Sequence, residues 1–367
     1  MRVLRIDERS AYHRLIGVGG IGTGIFFALD GPQTLGRNES RPGRLLDVRD
    51  YCKLHIVIHY IAKLLGAQVS GLPFHVAALG LVGNDAPGKQ VLREMAETGI
   101  DTKLVEVSAE YPTLFSVCFQ YPDGAGGNIT TNNSAAAHLS AADVEKASQF
   151  LKAGGADVIA LAVPEVPLHV RRHFLSLATA ARAFRAASFV SSEVREAMEL
   201  GIFQMLDLVS LNEAEAAELV GTSLSAIGPA EFVRRCQQFL RDSYPGLRLI
   251  VTAGKNGAYG MTKEMWNHAP AAEIAVASTA GAGDATLGGV IAGLAAGLPF
   301  LEETREGADS RVRTALEFGA LLGSHKCLSP HTIDPSACVD SLRNFAESRG
   351  RPFAPELQRL VTECEGS

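Results

Sequence analysis

Gly281-Ala282-Gly283-Asp284 places two glycines and an acid at the entrance of a long apolar segment. Glycines carry no Cβ, so successive backbone N–H groups can close on one anion while the start of a helix adds partial positive charge. A phosphoryl group would be stabilised there by the amides of Ala282, Gly283 and Asp284. Asp284 itself has two readings. It can complement the dipole of its own helix, or its carboxylate can take the proton of a hydroxyl attacking that phosphoryl group. A short glycine motif leaves both open until its surroundings are known.

The surroundings are legible as alternating elements. After the glycines, Leu287, Val290, Ile291 and Leu294 recur at i, i+3, i+4 and i+7, and Gly288, Gly289 and Gly293 permit close approach, which predicts a buried helix. Apolar runs at 156–163, 185–190, 207–211 and 247–252 are separated by helix-length stretches, the pattern of a mostly parallel, doubly wound α/β sheet flanked by helices. Asp85 can cap a helix that holds Pro87 in its first turn and ends at Gly99. Segments 30–48 and 121–134 are rich in Gly, Pro, Asn and Ser and read as mobile loops near a ligand or a surface. From Asp334 onward the sequence reads as a polar helix and a charged tail without identifiable chemistry.

Composition sets outer bounds. With 367 residues, 47% hydrophobic and 20% charged, the chain can bury a large core without staples. A net charge of −6 disfavours broad capture of nucleic acid or an anionic membrane, so an anionic ligand needs a local site. Cys52, Cys118, Cys236, Cys327, Cys338 and Cys364 form no C-x-x-C pair, which fits reduced thiols in a cytoplasm. No apolar run approaches the roughly 20 residues of a membrane span, and the first residues lack the apolar core of a signal peptide. A cytoplasmic location is the expectation.

Four segments in fixed order, within residues 15 to 330, resemble the PfkB, or ribokinase-like, family of carbohydrate and nucleoside kinases. GAGDA at 281–285 is similar to the family's C-terminal signature, which implies an anion hole from Gly281, Ala282 and Gly283 with Asp284 as general base. LNEAEAAELVG at 211–221 resembles its N-x-x-E element, so Asn212 and Glu215 would organise Mg2+, water and phosphate, Glu215 reaching the metal through water. On their own, Asn212 and Glu215 read more readily as a helix capping box. IVTAGKNGAYG at 250–260 resembles the nucleotide-side strand, placing Thr252, Gly254 and Gly257 near the phosphates and ribose of ATP, although a plain strand and turn is as easily written. VAALGLVGNDAPGKQVLREMAETGID at 76–101 looks like the family's early strand, turn and helix, a scaffold element. The resemblance implies ATP and Mg2+ as cofactors and a small-molecule alcohol as partner: a sugar, sugar derivative or nucleoside. It further implies a kinase domain over 1–333 with a small β-strand lid from about 22–48 and 103–135, a C-terminal helix and tail at 334–367, and a homodimer joined through the lid.

The chain also departs from that pattern. Where the family carries a substrate-binding Asp near its first strand, this sequence offers Gly22 and Gly24, and the sugar-contacting Gly-Gly and Asn of the first long helix stand as Cys52, Lys53 and Val57. Ser278 occupies the place of an Asp linked to a monovalent cation. Polar candidates for the acceptor are therefore Lys53, His55, His59, Asn128 and Asn133, with Gly24 at the vacated position. His55 and His59 share a helix face, which suits packing or substrate contact better than a metal, because no third ligand is near. His325 and His331 could lie near an adenine ring and are assigned no catalysis. Gly17, Gly19 and Gly22 match the dinucleotide fingerprint, but IGTGIFFAL reads as a strand where that motif needs a helix. An NAD-dependent oxidoreductase is the weaker alternative, and a silent nucleotide- or sugar-binding protein of the same fold is the other.

Overall fold

Strands that are apolar on both faces need cover on both faces, and the chain supplies it with helices. The computed structural model describes residues 2–31, 34–122, 126–303 and 310–363. Its main sheet has nine strands in the spatial order Trp266–Ala269, Ala258–Met261, Arg248–Thr252, Leu208–Asn212, Phe184–Ser188, Val158–Ala162, Arg14–Val18, His75–Gly83 and Ile100–Ser108. The first two are antiparallel to their neighbours; the others run parallel. The chain enters at Arg14–Val18, builds outward to Ile100–Ser108, then returns to Val158–Ala162 and builds the opposite way. The strand order therefore reverses beside Arg14–Val18, and ligands of such sheets bind outside the carboxyl ends of the strands at this reversal.

Helices Lys53–Leu65, Ala86–Glu97, Ala282–Ala295 and Ala315–Lys326 bury one face of the sheet, and Leu168–Ala180 and Pro229–Ser243 bury the other. The glycines of the Ala282–Ala295 helix set its distance from its neighbours. A Cβ on Gly288 would lie 2.9 Å from the carbonyl oxygen of Val57, and one on Gly289 would lie 2.8 Å from the Cα of Gly319. Asp85 caps Ala86–Glu97 by accepting from the Gly88 amide at 2.8 Å, as its sequence predicts.

A second sheet of four strands, Gly43–Tyr51, Gly22–Leu29, Leu114–Gln120 and Gly126–Thr130, stands apart from the main one. Gly22–Leu29 being a strand, the early glycines do not open a helix and the dinucleotide fingerprint lacks its structural context. The expectation of loops at 30–48 and 121–134 needs correction, since Gly43–Tyr51 and Gly126–Thr130 are sheet. Both are exposed edge strands whose Gly, Asn and Arg residues mask the alternation. Residues 103–108 belong to the edge of the main sheet, so the second expected lid span joins the small sheet only from Leu114. Residues 32–33 and 123–125 of the expected lid spans lie outside the described residues, as do Cys364 and the tail 364–367.

The C-terminal segment is more than a polar appendage. Val339, Leu342, Phe345 and Ala346 of the helix Val339–Ser348 are buried, and Val361–Glu363 pairs with Arg2–Leu4.

Candidate active site

Thr252 and Asn212 end parallel strands, and Glu165 follows another at a short remove, so the sheet delivers polar groups to one rim. A cavity of about 570 Å³ on that rim is lined by Thr252, Gly254, Gly257, Asn212 and Glu215. A second, of about 320 Å³, lies under the small sheet and is lined by Asp50, Tyr51, Cys118, Asn128 and Glu165. Lys53, Thr279, Gly281 and Asp284 line both, so the two spaces meet at the start of the Ala282–Ala295 helix. Volumes of this size hold small ligands.

Gly281 has φ +78°, and a Cβ there would lie 2.4 Å from the Thr332 carbonyl oxygen, so only glycine fits the turn that aims this helix. The expected trio of anion-binding amides is reduced. The Ala282 N–H already donates to the Thr279 carbonyl at 3.1 Å, because the turn closes on itself. The amides of Gly283 and Asp284 have no protein acceptor among the described residues.

Lys53 opens the helix Lys53–Leu65, and its Nζ lies 3.7 Å from Oδ2 of Asp284. The Asp284 carboxylate is the main cause that raises the Lys53 pKa, keeping the ammonium charged. Glu165, which the sequence did not single out, caps that helix by accepting the Lys53 N–H at 2.9 Å. Its φ of +76° is costly for a non-glycine residue and is the kind of strain found at functional sites. Burial pushes its carboxyl up to about 7, opposed by the Lys53 charge. An acid just beyond a parallel strand was the available signal; its setting between two prolines hid it.

Asn212 and Glu215 form the capping box: Glu215 accepts from the Asn212 N–H at 2.7 Å and Nδ2 at 2.8 Å, while Asn212 Oδ1 accepts the Glu215 N–H at 2.9 Å. Both residues also line the larger cavity, so the capping box and a place beside a ligand are compatible. Gly254 and Gly257 turn the chain with φ of +52° and +85°. Asn133 is exposed and lines neither cavity, whereas Asn128 lines the smaller. Gly24 presents no surface to it, since the space above its Cα holds Asp50 and Ser116 side chains. The Ser278 carbonyl accepts from Lys326 Nζ at 3.0 Å, and burial lowers that ammonium's pKa to about 8.

Four histidines that the sequence singled out line neither cavity. His325 Nδ1 lies 3.0 Å from Asp334, and His331 Nδ1 accepts the Arg49 N–H at 3.0 Å. Among the described residues no group of three or more His, Cys, Asp or Glu could hold a metal. His55 is buried in packing and His59 is half-buried, and neither ring nitrogen of His55 has a partner among those residues. Burial lowers His55 to about 4 and His59 to about 3. Above the free imidazole pKa of about 6.5 neither state takes the proton; below it the unfolded chain binds protons that the folded one refuses. Stability therefore falls as the pH drops from 6.5 toward 4, each ring contributing at most roughly 1 kcal/mol per pH unit. Urea unfolding at pH 7.5, 5.5 and 4.5 should show His55→Leu losing less stability than the native protein over that range; an equal loss would refute the assignment.

The family model described as pfkB family carbohydrate kinase matches residues 57–337. The chain belongs to that family. Within it, a fructokinase from Klebsiella pneumoniae is 35% identical over 96 residues, and this stretch spans 26% of the present chain and 29% of that protein. A ribokinase from Cryptococcus neoformans var. grubii, solved with ADP, superposes with a TM-score of 0.71 at 18% identity over 90% of this chain and 99% of its own. A ribokinase from Giardia lamblia gives 0.70 at 16% identity over 94% and 99%. A candidate ribokinase II from E. coli, solved with ATP and Mg2+, gives 0.69 at 18% identity over 91% and 99%. At such identities the superpositions establish the PfkB fold, a ribokinase-like α/β sheet with flanking helices. Among the described residues, no helix is long and apolar enough to cross a membrane.

Proposed function

We propose that the protein transfers the γ-phosphoryl group of ATP to a hydroxyl of a sugar, sugar derivative or nucleoside. The observation that carries this is the junction of two cavities at Asp284 and Lys53. Phosphoryl transfer asks the protein mainly to position two reactants and stabilise anionic charge. The larger cavity takes the nucleotide along Thr252, Gly254 and Gly257, and the smaller takes the alcohol. The Gly283 and Asp284 amides receive phosphoryl oxygens at the positive end of their helix, and the Lys53 ammonium adds a full charge. Asp284 accepts the proton of the attacking hydroxyl.

Magnesium arriving with ATP supplies positive charge to the phosphates. Glu215 suits it as an outer-sphere group: each carboxylate oxygen already accepts one hydrogen bond from Asn212, which leaves lone pairs for bound water. The Lys326 ammonium at the Ser278 carbonyl places a protein cation beside this loop, and we expect no potassium requirement. A silent binding protein would have no need of an acid shared between two cavities.

The small sheet supports a homodimer. Its register puts Phe27 opposite Leu45 and Val117 opposite Ile129 on the face away from Asp50, and Leu45 and Ile129 are exposed. The five described cysteines are all unpaired, in keeping with a cytoplasmic protein. Titration with ATP·Mg2+ and with NAD, followed by ADP-release screening over sugars and nucleosides, tests the function. ATP binding with acceptor-dependent ADP release is expected; tight NAD binding without ATP binding would refute it.

A further inference from the structure

Asp50 is a carboxylate without a place in the chemistry above. It is 3% exposed, yet it lines the smaller cavity together with Lys53 and Asp284. Its position follows from strand register. Asp50 pairs with Gly24, and Gly24 pairs on its other side with Ser116. The Asp50 side chain reaches across Gly24, where Oδ2 accepts from Ser116 Oγ at 2.5 Å and from Cys118 Sγ at 3.3 Å. A Cβ at position 24 would lie 2.4 Å from Asp50 Oδ2 and 2.2 Å from Ser116 Oγ, so the glycine is what lets the carboxylate occupy that space.

The carboxylate is also held firmly. On either side of it, the Arg49 N–H donates to His331 Nδ1 at 3.0 Å and the Tyr51 N–H donates to Thr332 Oγ1 at 2.9 Å. The same Thr332 packs its carbonyl against Gly281, so the strand bearing Asp50 is fixed to the turn bearing Asp284.

A hydroxyl and a thiol satisfy a buried carboxylate poorly, since an ionised carboxylate has about four lone-pair sites and burial makes unmet ones costly. If only structure were at stake, a neutral amide or hydroxyl would serve Ser116 at lower cost. The unmet sites call for further donors from the cavity. Glu165 and Asp284 line the same space, and Lys53, the one cation lining it among the described residues, is already engaged by Asp284. An anionic acceptor would meet acid walls, whereas hydroxyl groups would donate to them.

We infer that Asp50, delivered across Gly24 by the neighbouring strand, is the residue that binds hydroxyls of the acceptor and restricts it to uncharged polyols, excluding sugar acids and sugar phosphates. This rests on the kinase reading, and the test separates the two. ADP release by the native protein is measured with uncharged pentoses, hexoses and nucleosides and with gluconate and hexose phosphates, and then with Asp50→Asn on the best acceptor.

Turnover confined to uncharged acceptors is expected, with KM for the acceptor rising about 10–100-fold in Asp50→Asn while KM for ATP stays within about threefold. An anionic compound as best acceptor overturns the inference and leaves the kinase reading standing. So does an unchanged acceptor KM, or a joint rise of both KM values with a lowered melting temperature, which would mark a purely structural acid. If Asp50→Asn does not fold, the charge panel on the native protein decides. Absence of ADP release with every acceptor removes the kinase reading and this inference with it.

Discussion

Asp284→Asn lowers kcat by about 10²–10⁴-fold, the range set by loss of a positioned general base. The amide has nearly the same shape, so the helix start at Gly281 and the two open amides persist. What disappears is a group able to take the hydroxyl proton. Affinity for ATP·Mg2+ should change little, because the remaining lining of the larger cavity is untouched. Steady-state kinetics with a nucleotide-binding titration and a melting curve check all three quantities. Turnover within a few-fold of the native value would remove Asp284 from the mechanism and leave it as a helix-capping acid.

Lys53→Met lowers kcat by about 10²–10³-fold, the cost typical of deleting one preorganised charge from a transition-state site. Methionine keeps most of the apolar stem, so the Lys53–Leu65 helix should persist, and the Glu165 cap uses only the backbone N–H of residue 53. The effect belongs mainly in kcat, because charge on the transferring group is greatest in the transition state. A rise in acceptor KM with kcat preserved would instead place Lys53 on the acceptor alone. Arginine should rescue poorly, since its planar fork does not replace a compact ammonium held 3.7 Å from Asp284.

The parts of the fold that depend on local signals were legible. Continuous apolar runs marked the inner parallel strands, and the i, i+3, i+4 pattern marked the helix after Gly281. That Asp284, Thr252, Gly254, Gly257, Asn212 and Glu215 would gather around one cavity was legible, because each sits at a strand end, turn or helix start with its own sequence mark. Asp50 was not. In GRLLDVRDY it looks like one charge among several on an edge strand, and only pairing with Gly24, itself paired with Ser116, turns it into the cavity. The edge strands of the small sheet escaped for the same reason, their stability coming from neighbours rather than from their own pattern. The commitment of the Ala282 amide to Thr279 likewise depends on how the turn closes, which residue types do not specify.

The most direct measurement is ³¹P NMR of the native protein with ATP·Mg2+ and a panel of uncharged sugars and nucleosides. A new phosphomonoester signal growing one-for-one with ADP is the expected result. ADP accompanied only by inorganic phosphate, or no consumption of ATP with any acceptor, would contradict transfer at the junction of the two cavities.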